Sequence, residues 1–405
     1  MRPRTKRVVK ASIVLVVIVA GGLLLARWRA SIRSFHSIDE AMQHLVSGLV
    51  DKDKSVRNCV LSVMKGDGSY SWSGAAGIAS QNGLVPMTKD TPIFVASITK
   101  LYTATAIMRL YEIGALSLDD PMSRYLPEKL IHGIHVSEGR DFSREITIKH
   151  LLSHTSGIAD YYTEKPKGGK SLFEVFVEEP KRSWTVDEVI ERARKDLKPN
   201  FQPGTDASYS DTNFQLLGKV IEATTGKPLH VVYEEIFFRP LKLKHTWLIG
   251  RSGPSLTSSS APADVFYKDI NITETRSNGS YWADGGIVST AEEMIIFLKA
   301  LKEGRIIRPD TLKMMHNWRK LQFPLEYGYG TMRFKLPRLM ARLLRMPPLW
   351  GHSGSTGSFL YYSEDLNLYM AGSINQVDSK VKPFRLMMGV MKAFQRKNES
   401  APIQN

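Results

Sequence analysis

The chain has a single cysteine, Cys59, so no disulfide can form within it. Cys59 stands in an apolar alternating segment, which marks it as a small core residue rather than a nucleophile. The sequence also lacks any fixed-period repeat or long low-complexity tract, which excludes solenoid, fibrous and disordered architectures. There is no G-x-S-x-G elbow and no H-E-x-x-H, so neither an α/β-hydrolase nor a zincin is indicated. Gly168-Gly169-Lys170-Ser171 matches the tail of a phosphate-binding loop, but Glu164 occupies its first glycine position and no strand precedes it. No nucleic-acid motif is found, and nothing calls for a metal or cofactor. What remains is an ordinary globular composition: 405 residues, 42% hydrophobic and 23% charged, enough for one large domain or two modest ones.

Residues 1–34 form a separate unit. Arg2, Arg4, Lys6, Arg7 and Lys10 precede an uncharged apolar run, Ala11 to Ala26, which ends at Arg27 and Arg29. A helix of that length spans roughly 24 Å, short for a bilayer but workable if the flanking basic side chains reach the headgroups. No A-x-A cleavage site follows, so the segment reads as an uncleaved signal-anchor in preference to a cleaved signal peptide. The basic residues ahead of it place the N-terminus in the cytoplasm and the rest of the chain outside, periplasmic or extracellular. The net charge is +15; with those seven basic residues set aside, the remainder is mildly basic, which suits a protein held near an anionic membrane.

The main unit is expected over 35–400, with 401–405 as a tail. Ser37–Val50 has helical spacing with Ser37 or Asp39 as cap. Asn58–Gly77 reads as a hairpin turned at Gly66-Asp67-Gly68. Thr99–Ile113 is a helix stopped by Gly114. From about 121 to 280 the pattern is helical and rich in turns. Strand signals return at Tyr327–Phe334, Trp350–Ser363 and Leu366–Ile374, before a last apolar helix near Phe384–Phe394. Strands at both ends predict an α+β fold: one antiparallel sheet flanked by helices, with a helical lobe beside it.

Serine is a poor nucleophile until a base takes its proton and donors stabilise the oxyanion. Ser97-Ile98-Thr99-Lys100 places a serine and a lysine three apart at the start of the Thr99 helix, on one face and near free N–H donors. A lysine held near a hydroxyl in a partly dry cleft can lose its proton at neutral pH. A second copy, Ser62-Val63-Met64-Lys65, serves as a control. It lies in a strand, where residues three apart point to opposite faces.

Two further segments accompany the first. Pro203-Gly204 leads to Tyr209-Ser210-Asp211 on a turn ahead of an apolar helix. Trp350-Gly351-His352-Ser353-Gly354-Ser355 opens a strand with small residues that a substrate could lie along. Ser97-x-x-Lys100, Tyr209-Ser210-Asp211 and His352-Ser353-Gly354, in that order, resemble the serine β-lactamase and penicillin-binding-protein superfamily. The nearest likeness is to class C β-lactamases, D-alanyl-D-alanine carboxypeptidases and related esterases. Leu151–Ile158 and Asp284–Thr290 resemble two more signatures of that group, and the likeness runs from about residue 40 to 395.

The resemblance implies a β-lactamase/transpeptidase-like fold and an acyl-enzyme on Ser97. Lys100 and Tyr209 would handle protons, with Tyr209 the base if Lys100 lowers its pKa, and His352 would complete the catalytic set. The N–H groups of Ser97 and Ser355 would form the oxyanion hole, with Asp211 and Gly354 beside the substrate. His154 is implied to be a structural turn residue. Two departures matter: Asp211 stands where many members have Asn, and His352 where the family's strand motif has Lys. A mostly neutral histidine grips a substrate carboxylate less firmly than lysine does, and an acid at 211 makes the cleft less hospitable to anions. Both point from β-lactamase toward esterase, peptidase or carboxypeptidase, acting on a small molecule, a peptidoglycan peptide or a lipid-like ester. The alternatives are a non-catalytic binding member of the fold and a true β-lactamase. Finally, Lys335–Met346 reads as a short basic amphipathic helix, with Arg338, Arg342 and Arg345 on one face and Leu339, Leu343 and Met346 beside them. It is a second candidate for membrane contact, against a plain insert packed on its own domain.

Overall fold

The computed structural model describes residues 35–400, apart from 83, 257–259, 278 and 380. The apolar run 11–26, the basic tail ahead of it and residues 401–405 lie outside the described residues. Among the described residues, no helix is long and apolar enough to cross a membrane.

Helix α1, Ile38–Lys52, begins where the Ser37 hydroxyl accepts the Glu40 N–H at 3.1 Å, so Ser37 is the cap of the two candidates. Strands β1 (Asn58–Lys65) and β2 (Ser71–Ser80) form the expected hairpin. The short strands β3 (Val85–Pro86) and β4 (Ile93–Phe94) follow, and then helix α2 (Thr99–Glu112). The stretch from 121 to 280 adds several helices, among them α3 (Asp211–Thr225), and the short strand β5 (Trp247–Leu248). Strand β6 (Ile287–Ser289) and helix α4 (Ala291–Lys302) lead back to the sheet. There follow β7 (Arg319–Gln322), β8 (Leu325–Tyr327), β9 (Met332–Phe334), helix α5 (Arg338–Leu344), β10 (Leu349–Ser353), β11 (Phe359–Ser363), β12 (Leu368–Ser373) and helix α6 (Lys382–Ser400).

The large sheet runs β7-β8-β9-β10-β11-β12-β1-β2-β3 and is antiparallel throughout. β1 pairs with β12, Val60 opposite Ser373, so early and late segments of the chain meet inside one sheet. Both faces are covered. Successive residues of a strand point to opposite faces. Val60 accordingly joins the core beneath α2, α3 and α4, while Leu61 joins the core beneath α1 and α6.

Two strand signals divide. Tyr327–Phe334 is broken by a turn in which the Gly328 N–H donates to Thr331 O at 2.8 Å. A Cβ on Gly328 would stand 2.0 Å from Met315 O, so the chain passes there only without a side chain. Trp350–Ser363 breaks at Gly354–Ser358, where the chain folds over the turn that carries Ser97. The edge strand β7 escaped the sequence reading because it is charged and mostly exposed, with no alternating apolar face.

Candidate active site

Ser97 sits in a tight turn, Ala96–Ile98, that runs directly into α2. Two bonds pin this turn against β6: Val95 N–H to Ile287 O at 3.1 Å, and Ile287 N–H to Thr99 Oγ1 at 3.0 Å. Ala96 adopts φ +49°, a left-handed conformation that costs a non-glycine residue about 1–3 kcal/mol. The surrounding bonds hold it there, and Ser97 is the next residue. α2 is buried on nearly all sides, so Lys100, its second residue, is fully removed from solvent.

An ammonium has three N–H donors, and Lys100 uses each. One goes to Ser97 Oγ at 3.1 Å, one to the Asp284 carbonyl at 2.7 Å, and one to the Asp211 carboxylate. Burial by itself would drive the proton off Lys100. The neighbouring Asp211 and Asp284 carboxylates outweigh it and hold the pKa above the ordinary lysine range. This corrects two expectations from the sequence. Lys100 keeps its proton, and Asp211 spends its charge on Lys100 before it can repel a substrate anion.

Tyr209 lies in the turn that opens α3, and the turn is fastened by His154. The His154 ring Nδ1 accepts the Ser210 N–H at 3.1 Å, and its carbonyl accepts the Ser208 N–H at 3.0 Å. The imidazole lies 4.3 Å from the Tyr209 ring, centroid to centroid. Burial and the Lys100 charge push its pKa well below the ordinary value, so it is a neutral bracket for the turn. Tyr209 hydrogen-bonds the Ser97 side chain, which favours phenolate, but burial and the Asp211 charge dominate and lift the phenol well above its usual range. The lowered tyrosine pKa expected beside Lys100 is therefore absent, because burial and then the Asp211 charge outweigh the hydrogen bond with Ser97.

His352 is brought near this group without reaching the cavity. It is fully buried in β10, where Nδ1 donates to Ser353 O at 2.8 Å. That leaves Nε2 to accept from the Tyr327 hydroxyl at 3.0 Å. Burial and then the Lys100 charge lower its pKa to about 3, so it is neutral at all ordinary pH. His352 therefore stands behind Tyr327, whose hydroxyl occupies its second ring nitrogen. The residues after it do approach. Thr356 Oγ1 donates to Phe94 O and Ser358 Oγ to Val95 O, both at 2.8 Å, which clamps the 354–358 turn onto the Ser97 turn. A Cβ on Gly354 would fall 2.3 Å from Val95 O and 2.1 Å from Ser358 Oγ, so only glycine allows the closure.

Together these segments enclose a cavity of about 190 Å³ whose walls include Ser97, Tyr209, Asp211 and Ser355. The sequence reading missed Asp160, Tyr161 and Tyr281 in the same wall, and Tyr327 behind it. Asp160-Tyr161 follows the Leu151–Ile158 signature with only Ala159 between them, which was the available signal. The Asp160 carboxylate accepts the N–H of Asp211, and the Tyr161 hydroxyl donates to Asp284 at 2.5 Å. Burial, with the Asp211 charge next, raises Asp160 to about 7 and Asp284 to about 6. Among the described residues no cluster of His, Cys, Asp or Glu could hold a metal ion. The control pair behaves as strand geometry requires: Ser62 Oγ meets Ser73 Oγ at 2.8 Å, while Lys65 Nζ turns away to Leu366 O. Cys59 is buried, and burial pushes its thiol up to about 12.

Known proteins resemble the chain in sequence and in fold. The family model described as Beta-lactamase matches residues 12–386. Esterase EstB of Burkholderia gladioli is 30% identical over 274 residues, covering 62% of this chain and 67% of that protein. Penicillin-binding protein 4 of Amycolatopsis lactamdurans is 31% identical over 169 residues, covering 42% of this chain and 39% of that protein. The chain thus spans about two thirds of the first relative and well under half of the second. Among solved structures, a D-stereospecific amidohydrolase from Streptomyces sp. is 29% identical, with a TM-score of 0.70, covering 86% of this chain and 97% of that one.

Proposed function

The chain belongs to the Beta-lactamase family, and from that premise we propose that it is a serine hydrolase cleaving an ester or amide through an acyl-enzyme on Ser97. The observation that carries this reading is the Lys100 ammonium bonded to Ser97 Oγ at 3.1 Å, with Tyr209 on the same hydroxyl, at the wall of an accessible cavity. Lys100 supplies a fixed positive charge close to where oxyanion charge develops, and the N–H groups of Ser97 and Ser355 are its assigned partners.

A phenol with a raised pKa is a poor free base, so Tyr209 is assigned the part of a neutral shuttle. As Ser97 Oγ bonds to the carbonyl carbon, its proton passes to the Tyr209 oxygen. In the same concerted transfer the phenol hands its own proton to the leaving oxygen or nitrogen, so its oxygen never carries two protons. Tyr209 is neutral before and after, so no phenolate need accumulate. Water reverses the sequence and releases the acid.

The relatives' names, an esterase and an amidohydrolase, are consistent with either bond. A true β-lactamase is disfavoured because the strand that carries a lysine elsewhere in the family carries a buried, neutral histidine here. A non-catalytic reading has no use for three convergent proton-handling groups. The reading extends to a periplasmic or extracellular domain tethered through residues 11–26. Hydrolysis of a panel of p-nitrophenyl esters and amino-acid amides by the wild type and by Ser97→Ala tests the proposal. Turnover lost in the variant supports it, and equal rates in the two proteins refute it.

A further inference from the structure

Helix α5 buries none of its own residues, an unusual situation for an element inserted between two strands of a central sheet. Its flanks are anchored. Leu336 and Leu344 pack against the core under α1 and α6, Met346 is buried in that core, and Gln395 of α6 donates to Arg345 O at 2.9 Å. Arg345 lies past the helix end in left-handed backbone, so it leaves the face shared by Arg338 and Arg342. The outer side is apolar where water is expected. Leu339 and Leu343, one turn apart, are 72% and 67% exposed. Phe323, at the β7–β8 turn, is 69% exposed. The Lys335 N–H joins the two segments by donating to Pro324 O at 3.1 Å.

Exposed basic residues surround these three side chains in sequence: Arg319, Lys320, Lys335, Arg338 and Arg342. Among the described residues, neither Arg338 nor Arg342 forms an ion pair with an acidic side chain. With two thirds or more of their surface free, the apolar residues stand out rather than line a groove. Such tips suit a soft interface better than a rigid partner, and free arginines beside them complement negative headgroups.

We propose that α5 and the β7–β8 turn form a docking surface for an anionic lipid bilayer, with Phe323, Leu339 and Leu343 inserted among the acyl chains and Arg338 and Arg342 at the headgroups. This goes beyond the assignment of the active site and does not depend on it. Two features favour lipid over other occupants. The chemistry repeats that of the sequence Ala11–Ala26 with its basic flanks. Phe35, the first described residue after that run, packs in the same apolar layer as Leu336 and Leu344.

The test uses the full chain, so that the N-terminal segment is present in every sample. Cys59 is buried and unreactive, so Leu343→Cys provides a single site for a polarity-sensitive fluorophore, with exposed Ile113→Cys as control. Phosphatidylcholine vesicles containing phosphatidylserine should shift the emission at 343 to the blue and leave that at 113 unchanged. Arg338→Gln with Arg342→Gln should raise the lipid concentration for half of the shift by roughly tenfold. A label at 343 that stays water-like while the chain sediments with the vesicles overturns the proposal. So does a shift of equal size on pure phosphatidylcholine, or one that grows with protein concentration in the absence of vesicles, which assigns the face to a second copy of the chain.

Discussion

The Lys100 ammonium bridges the Ser97 hydroxyl and the Asp211 carboxylate, so the proposed nucleophile rests against a fixed positive charge rather than a free amine. Asp211 stands where many relatives of this type carry asparagine, and the pairing explains what the acid does. It holds a proton on a fully buried lysine, and, after burial, it is the next cause that raises the phenol of Tyr209. Under the proposed mechanism, activity therefore depends on Lys100 remaining charged.

The first prediction concerns Asp211→Asn. Without the carboxylate, burial acts on Lys100 with less opposition and its pKa falls. The alkaline limb of kcat/KM, where the ammonium is lost, should move to lower pH by about one unit or more. A pH–rate profile with a good ester substrate measures this. An alkaline limb that stays in place would mean that Asp211 does not govern the lysine.

A second prediction separates stability from chemistry at the same pair. Lys100→Met strands the Asp211 carboxylate and should cost about 3–5 kcal/mol in urea unfolding. Lys100→Met with Asp211→Asn should recover most of that loss, since no charge is left unpaired. Both proteins should remain about 10²–10⁴-fold below wild type in kcat/KM. Activity that returns along with stability would show Lys100 to be a structural residue.

His352→Gln keeps an acceptor for the Tyr327 hydroxyl, and kcat should stay within about tenfold of wild type. His352→Ala leaves that hydroxyl unsatisfied and should lose about 1–3 kcal/mol of stability. By NMR, the His352 ring should show no titration between pH 5 and 8, since its pKa lies near 3. A titration in that window, or a loss of kcat in His352→Gln as large as in Lys100→Met, would restore the histidine to a direct catalytic part.

The buried carboxylates set a pH dependence of stability. Asp160 and Asp284 are raised to about 7 and about 6 in the folded state, so folding favours their protonated forms. Their contribution is complete below the unfolded carboxylate pKa of about 3.9. It is lost as pH rises through 6 and 7. Unfolding midpoints in urea should therefore fall from pH 5 to pH 8, and Asp284→Asn should flatten that slope. A slope of the opposite sign, or one unchanged in the variant, contradicts the assignment.

Local signals account for most of what could be read in advance. Ser97 and Lys100 sit three apart where a turn opens a helix, and strand geometry alone sets aside the hairpin copy at Ser62 and Lys65. Ser37, Gly114 and the Gly66–Gly68 turn were legible because caps and turns are chosen by nearby residues. Contacts made across the fold were not legible. The Asp284 carbonyl reaches Lys100 from 184 positions away, and Tyr327 intercepts His352 from a strand whose alternation announces only burial. The protonation of Lys100 is another such case, because it depends on which carboxylates the fold gathers around one nitrogen.

The most direct measurement is fluorophosphonate labelling of the full chain at neutral pH, followed by intact mass and peptide mapping. The account predicts one adduct, on Ser97, much slower in Lys100→Met and absent in Ser97→Ala, with Ser62 unlabelled throughout. A folded protein that takes no label, or takes it on a serine outside the cavity, would contradict it.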